Sequence, residues 1–178
     1  MSQSMSTIEI DYDALRDLIG ADESEELGDQ KLQRDLSRLG LEYRGRTESG
    51  AATVDVDPDR PDWLSVEGIA RSLRYRYGLD RGMYVPAAND AVWSIEAGDT
   101  PESRPRATGA VVRGVDLEAA ALDSLVDLAE NLDATLGDGR TTGAVGFYDL
   151  TMLKGERLDD RGGGRSVRYA GEIGRAHV

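Results

Sequence analysis

The chain has 178 residues, no cysteine, and a formal charge of -13 from 34 Asp and Glu against 21 Lys and Arg. That length buries one good core or two small ones, the missing thiols exclude disulfides, thiolate nucleophiles and sulfur-ligated metal, and no apolar run is long enough to read as a membrane-spanning helix. Asp outnumbers Glu 21 to 13 and only Lys31 and Lys154 are lysines, a balance suited to strong brine, where a Debye length of about 3 Å screens self-repulsion.

At such salt the counterion-release contribution to polyanion binding is largely gone, so an acidic total does not exclude RNA. It requires contacts that are local and shape-based, made by a few arginines, hydroxyls and backbone groups. The opening Met1-Ser2-Gln3-Ser4-Met5 lacks the basic and apolar regions of a secretion signal, and a cytoplasmic protein is expected.

Residues 1–4 read as an N-terminal extension, with Met5 the natural initiator. Thr7-Ile8-Glu9-Ile10 alternates like a half-buried strand, and Asp11 then caps a short helix through Leu15, Leu18 and Ile19 that stops at Gly20. The acidic stretch 21–26 reads as a solvated turn. From Asp29 a second helix sets Leu32, Leu36 and Leu39 on one face before Gly40. Leu41–Arg44 and Thr53–Val56 read as a hairpin across a glycine-containing loop. Ser65 opens a helix that buries Val66, Ile69, Ala70, Leu73 and Tyr77 and ends at Gly78. The spacing therefore predicts a β-α-α-β-β-α module over 5–86.

Residues 86–89 read as a linker into a second segment, 87–171. In it, Val92–Ile95 and Ala110–Val115 read as strands separated by a polar loop over 98–105. Asp116 is expected to open the longest helix, with Leu122, Leu125, Ala129, Leu132 and Leu136 as its stripe and Gly137 as its stop. Gly143–Leu150 reads as a buried strand. After Leu153 the apolar pattern collapses, so the segment is expected to be incomplete. Residues 172–178 read as a non-native tail, because they can be spelled by codons that resemble a sequencing adapter, and the only histidine, His177, falls there.

Chemistry-bearing patterns are few. Asp55, Asp57 and Asp59 have the opening spacing of a calcium loop, but Arg60 and Val66 occupy the places that need Gly and a bidentate Glu; outward carboxylates on a strand edge are the plainer expectation. Arg71, Arg74, Tyr75, Arg76, Tyr77 and Arg81 form the one basic, aromatic-interleaved patch. Arginine forks suit phosphate, so Arg71, Arg74 and Arg76 are the candidate RNA contacts, set against simple salt bridges to nearby carboxylates. Lys31 with Arg34 and Arg38 is a weaker candidate. Gly162-Gly163-Gly164 has no following G-K-[S/T] and reads as a flexible linker. No nucleophile–histidine–acid set and no metal site is expected.

The run Val56-Asp57-Pro58-Asp59-Arg60-Pro61-Asp62-Trp63-Leu64-Ser65-Val66-Glu67-Gly68-Ile69-Ala70-Arg71 is the most specific feature. It resembles the V-x-P-x-R-P-D-x-L-S-V-E-G-x-A-R signature of the phenylalanyl-tRNA synthetase β subunit of archaeal and eukaryotic type. The Ala110–Val115 run, the turn at Gly137 and Arg140, and Phe147–Leu150 are similar to further family segments in the family's order. Asp57, Asp59 and Tyr148 depart from it.

The resemblance implies an α+β fold in which the module over 5–86 is B1-like. Residues 87–171 would begin an α/β editing domain of B3/B4 type. It implies a part in charging tRNA(Phe) with phenylalanine, with ATP and Mg²⁺ used by the whole enzyme and neither bound by this chain. It further implies an α subunit as partner in an α₂β₂ assembly. Editing follows chemically, since a phenylalanine pocket rejects an added hydroxyl poorly. Within Arg60-Pro61-Asp62-Ser65 the expected roles are structural: Asp62 or Ser65 caps the next helix and Arg60 pairs with Asp62 or Glu67. A free-standing aminoacyl-tRNA deacylase and a non-enzymatic acidic module for Ca²⁺ or a protein remain the alternatives.

Overall fold

The computed structural model describes residues 6–20, 27–57, 59–83, 85, 87–88, 90, 100, 102, 105–150, 157–158 and 164–165. The expected extension 1–4, the turn 21–26, the strand at 92–95, most of the loop 98–105, Gly162 and Gly163 of the glycine linker and the tail 172–178 lie outside these. The chain divides between Val145 and Gly146.

In the first unit, β1 (Ser6–Ile10) runs into α1 (Tyr12–Ile19) through Asp11, whose carboxylate accepts from the amides of Asp13 and Ala14. Gly20 ends α1 in the left-handed conformation that favours glycine (φ 61°). α2 (Asp29–Leu39) ends the same way at Gly40. A hairpin follows, β2 (Glu42–Arg46) and β3 (Ala52–Val56). A 3₁₀ turn, Pro61–Leu64, then leads into α3 (Val66–Tyr77), closed by Gly78.

The three strands form an antiparallel sheet in the order β1-β3-β2, with Ile8 opposite Val54 and Ile10 opposite Ala52. Paired residues share a face, so Ile8, Ile10, Ala52, Val54 and Val56 make one apolar surface. Leu15, Ile19, Leu32, Leu36, Leu64, Ile69 and Leu73 of the helical elements cluster on it, and all of them are buried. An antiparallel sheet with helices gathered on one face is an α+β arrangement.

Asp55 corrects an expectation. It lies on the central strand, buried to 8% exposure, not on an outward edge. Its carboxylate accepts from Thr7 Oγ1 across the strand pair (2.6 Å) and from Arg44 Nε (2.5 Å). Arg44 is the extra residue where the β2 register shifts between Tyr43 and Gly45, and that bulge re-aims its side chain. The hydrogen bonds from Thr7 and Arg44 hold the Asp55 carboxyl below its ordinary range.

The longest helix, α4 (Ala119–Ala134), begins at Glu118 and not at Asp116, and it stops before Leu136, which is half exposed. Ala110–Val115 is not a strand, and neither is Gly143–Leu150. Strands exist by pairing. Among the described residues neither run pairs with another strand, and Val112, Val115, Phe147 and Tyr148 stay exposed. In the second unit Arg157–Leu158 (β4) and Gly164–Arg165 (β5) pair antiparallel.

Candidate functional site

The proline elbow, residues 57–71, joins β3 to α3, and almost every residue in it has an assignable task. Asp57 starts the turn by accepting the Asp59 amide on its carboxylate and the Arg60 amide on its carbonyl, both at 3.0 Å. Pro61 occupies the first turn of the 3₁₀ segment, where a missing N–H leaves nothing unpaired. Arg60 grips Asp62 with both arms of its fork, Nε to Oδ1 at 2.9 Å and Nη2 to Oδ2 at 2.8 Å, and its guanidinium lies 3.9 Å over the Trp63 ring. The hydrogen bond from Arg60 holds the Asp62 carboxyl below its ordinary range. Arg71 reaches the same Oδ2 at 3.5 Å.

Trp63 is buried and donates from Nε1 to Ser72 Oγ (2.8 Å), which in turn donates to the Gly68 carbonyl (3.1 Å). Ser65 caps α3 by accepting the Gly68 amide (3.2 Å). Gly68 itself has no alternative: a Cβ there would stand 1.6 Å from the Asp62 carbonyl oxygen. The glycine lets the 3₁₀ turn lie against the first turn of α3. This is a reason of close approach, with helical backbone at that position.

α4 meets the elbow through polar groups. Ser124 donates to Glu67 Oε1 (2.7 Å), Asn131 Nδ2 donates to the Leu64 carbonyl (3.2 Å), and Ser6 of β1 donates to Asn131 Oδ1 (3.3 Å). Leu128 and Leu132 line an open cleft against Pro61, Ser65 and Gly68. In the last turn of α4, Asp133 is buried and organises the turn that follows, accepting from Arg140 Nε (2.6 Å) and from the Val145 amide (2.7 Å). Arg140 is thus the anchor of the Gly137–Arg140 turn.

The three candidate RNA contacts all hold carboxylates. Arg71 pairs with Asp62. Arg74 pairs twice with Asp80 (2.6 and 3.0 Å) and donates from Nη1 to the Ile19 carbonyl (2.5 Å) at the end of α1. Arg76 stands 3.6 Å from Asp35. Arg81 is exposed, and Tyr77 turns inward, its hydroxyl donating to Asp35 (2.9 Å).

Asp35 escaped the sequence reading. It is 4% exposed and sits among Lys31 (3.4 Å), Arg38 (3.3 Å), Arg76 and Tyr77, with Lys31 4.0 Å over the Tyr77 ring. Burial pushes its pKa up, but the bonds from Tyr77, Lys31 and Arg38 outweigh that and the net shift is downward. The weaker basic group thus divides: Lys31 and Arg38 belong to this node. The signal was present as i−4 and i+3 cations around an aspartate beside Leu36.

Among the described residues no group of three or more histidine or acidic side chains could hold a metal ion. Asp55 faces Thr7 and Arg44, and Asp57 is tied to its own turn. The described part of the chain is a framework of helix caps, close approaches and arginine–aspartate pairs.

No protein-family model matches the chain. Similar proteins include three that bear the name phenylalanine–tRNA ligase beta subunit. That of Haloarcula marismortui is 50% identical over 165 residues, covering 93% of this chain and 28% of the relative. That of Natronomonas pharaonis is 52% identical over 170 residues, covering 94% and 29%. That of Methanocella arvoryzae is 35% identical over 167 residues, covering 93% and 29%. The chain spans less than a third of the length of these curated relatives. With identity near one half along almost its whole length to the halophilic proteins, the chain belongs to the phenylalanine–tRNA ligase beta-subunit family, whose members are aminoacyl-tRNA synthetase subunits.

Proposed function

We propose that the chain is the N-terminal part of a phenylalanine–tRNA ligase β subunit and that its part in ATP-dependent charging of tRNA(Phe) is architectural. The observation that carries this reading is the elbow, in which the residues of the signature are spent on capping, stacking and close approach. Residues 5–86 form the B1-like module, and residues 87–171 open the editing domain that clears mischarged tRNA. ATP and Mg²⁺ act elsewhere in the assembled enzyme, with the α subunit as partner, in the cytoplasm. Arg71 is half exposed and Arg74 and Arg76 about a third exposed while paired, which supports a secondary role for them in touching tRNA phosphates.

A chimera tests this. The segment of the Haloarcula marismortui β subunit matched by this chain is replaced by the chain, and the product is combined with the α subunit in molar KCl. Charging of tRNA(Phe) is expected to return to within about threefold of the parent, a barrier difference of about 0.6 kcal/mol. A folded chimera that assembles with α but does not charge tRNA contradicts the proposal. Hydrolysis of tyrosyl-tRNA(Phe) by the 178-residue chain alone would favour the free-standing deacylase instead.

A further inference from the structure

The joint between α4 and the elbow differs in kind from the rest of the first unit. Within residues 6–80 the elements are tied by arginine–aspartate pairs, such as Arg46–Asp29, Arg44–Asp55 and Arg74–Asp80. The α4 joint contains no ion pair among the described residues. It consists of the Ser124–Glu67 bond, the Ser6–Asn131–Leu64 bridge and two half-buried leucines.

Charge opposes that joint. Residues 6–80 carry 18 carboxylates against 10 cations, and α4 carries Asp123, Asp127, Glu130 and Asp133 with no cation. Among the described residues, only Asp133 of these has a cationic partner, Arg140; Asp123, Asp127 and Glu130 are exposed. In the elbow itself Arg60 and Arg71 stand against Asp57, Asp59, Asp62 and Glu67, and Asp62 takes up both arginines. Glu67 therefore faces α4 with only the Ser124 hydroxyl. On a helix about 10 Å across, Asp127 and Asp123 flank the face that presents Ser124, Leu128 and Asn131. Their charge is felt over a Debye length of about 10 Å at 0.1 M salt and only about 3 Å at 1 M.

We propose that α4 is a salt-governed latch on the proline elbow, closed in molar salt by Asn131, Ser124 and the two leucines, and released in dilute buffer by the unpaired carboxylates of α4 while the module beneath it stays folded. The inference stands on the charges and contacts of this chain and not on its role in the synthetase.

Hydrogen–deuterium exchange of the full 178-residue chain in 2 M and in 0.1 M KCl tests it, with α2 and α3 peptides as internal controls. Protection of residues 119–134 is expected to fall about tenfold or more on dilution, by opening of a unit separate from the core, with α2 and α3 falling clearly less. Asp123→Asn/Asp127→Asn should keep most of the protection at 0.1 M. Asn131→Ala should lose it at both salts, with circular dichroism reporting whether the fold survives. Protection of α4 that ignores salt overturns the proposal. So does loss of α4, α2 and α3 together, or a double variant that behaves as the parent does.

Discussion

Gly68 and Asp35 carry disproportionate weight. A methyl group at position 68 would have to displace the Asp62 carbonyl, which is backbone and cannot swing aside. Gly68→Ala is expected to destabilise the module by about 3 kcal/mol, the upper range for overpacking, as read from denaturant melts in molar KCl. For Asp35→Asn, about 2 kcal/mol is expected. It leaves Lys31, Arg38 and Arg76 without their anion, but these are partly solvated and recover some hydration. The sign of its pH dependence follows from the downward shift. The folded pKa lies below the ordinary 3.8, so the contribution is complete above that value and fades as pH falls through the folded one. Acid titration of stability should therefore be shallower in Asp35→Asn than in the parent; an equal slope would count against the node.

At the scale of elements, termini were readable because caps are local. Asp11, Gly20, Gly40, Ser65 and Gly78 each sit where the sequence puts a helix end. Ser65→Ala removes one accepted amide and should cost about 1 kcal/mol, with faster exchange confined to the first turn of α3. The hairpin was readable too, from alternation. The runs at 110–115 and 143–150 were not, because a strand needs a neighbouring strand to pair with as well as apolar composition, and strand pairing is not a local property. Asn131 was missed for the same reason, since Ser6 and Leu64 come to it from other elements, and at Asp35 the local cations were visible but the burial and the Tyr77 hydroxyl were not. Arg71, Arg74 and Arg76 showed both meanings in sequence, and the neighbouring aspartates are what each of them reaches.

Across the whole molecule, charge sets the conditions of folding. Screening relieves repulsion within a chain of net charge -13, while the arginine–aspartate pairs weaken more slowly because several are partly buried. Stability of the first unit should rise as KCl increases from 0.1 to 2 M, as followed by thermal melts; a fall would mean that pairing outweighs repulsion.

The central claim is that the elbow shapes the enzyme without taking part in bond-making. The most direct measurement is the kcat for tRNA(Phe) charging, per assembled complex, of the chimeric β subunit carrying Arg60→Ala or Asp62→Ala. Loss of the fork should lower the fraction assembled while kcat per complex stays within about twofold, less than 0.5 kcal/mol of barrier. A tenfold fall in kcat with assembly intact would contradict it.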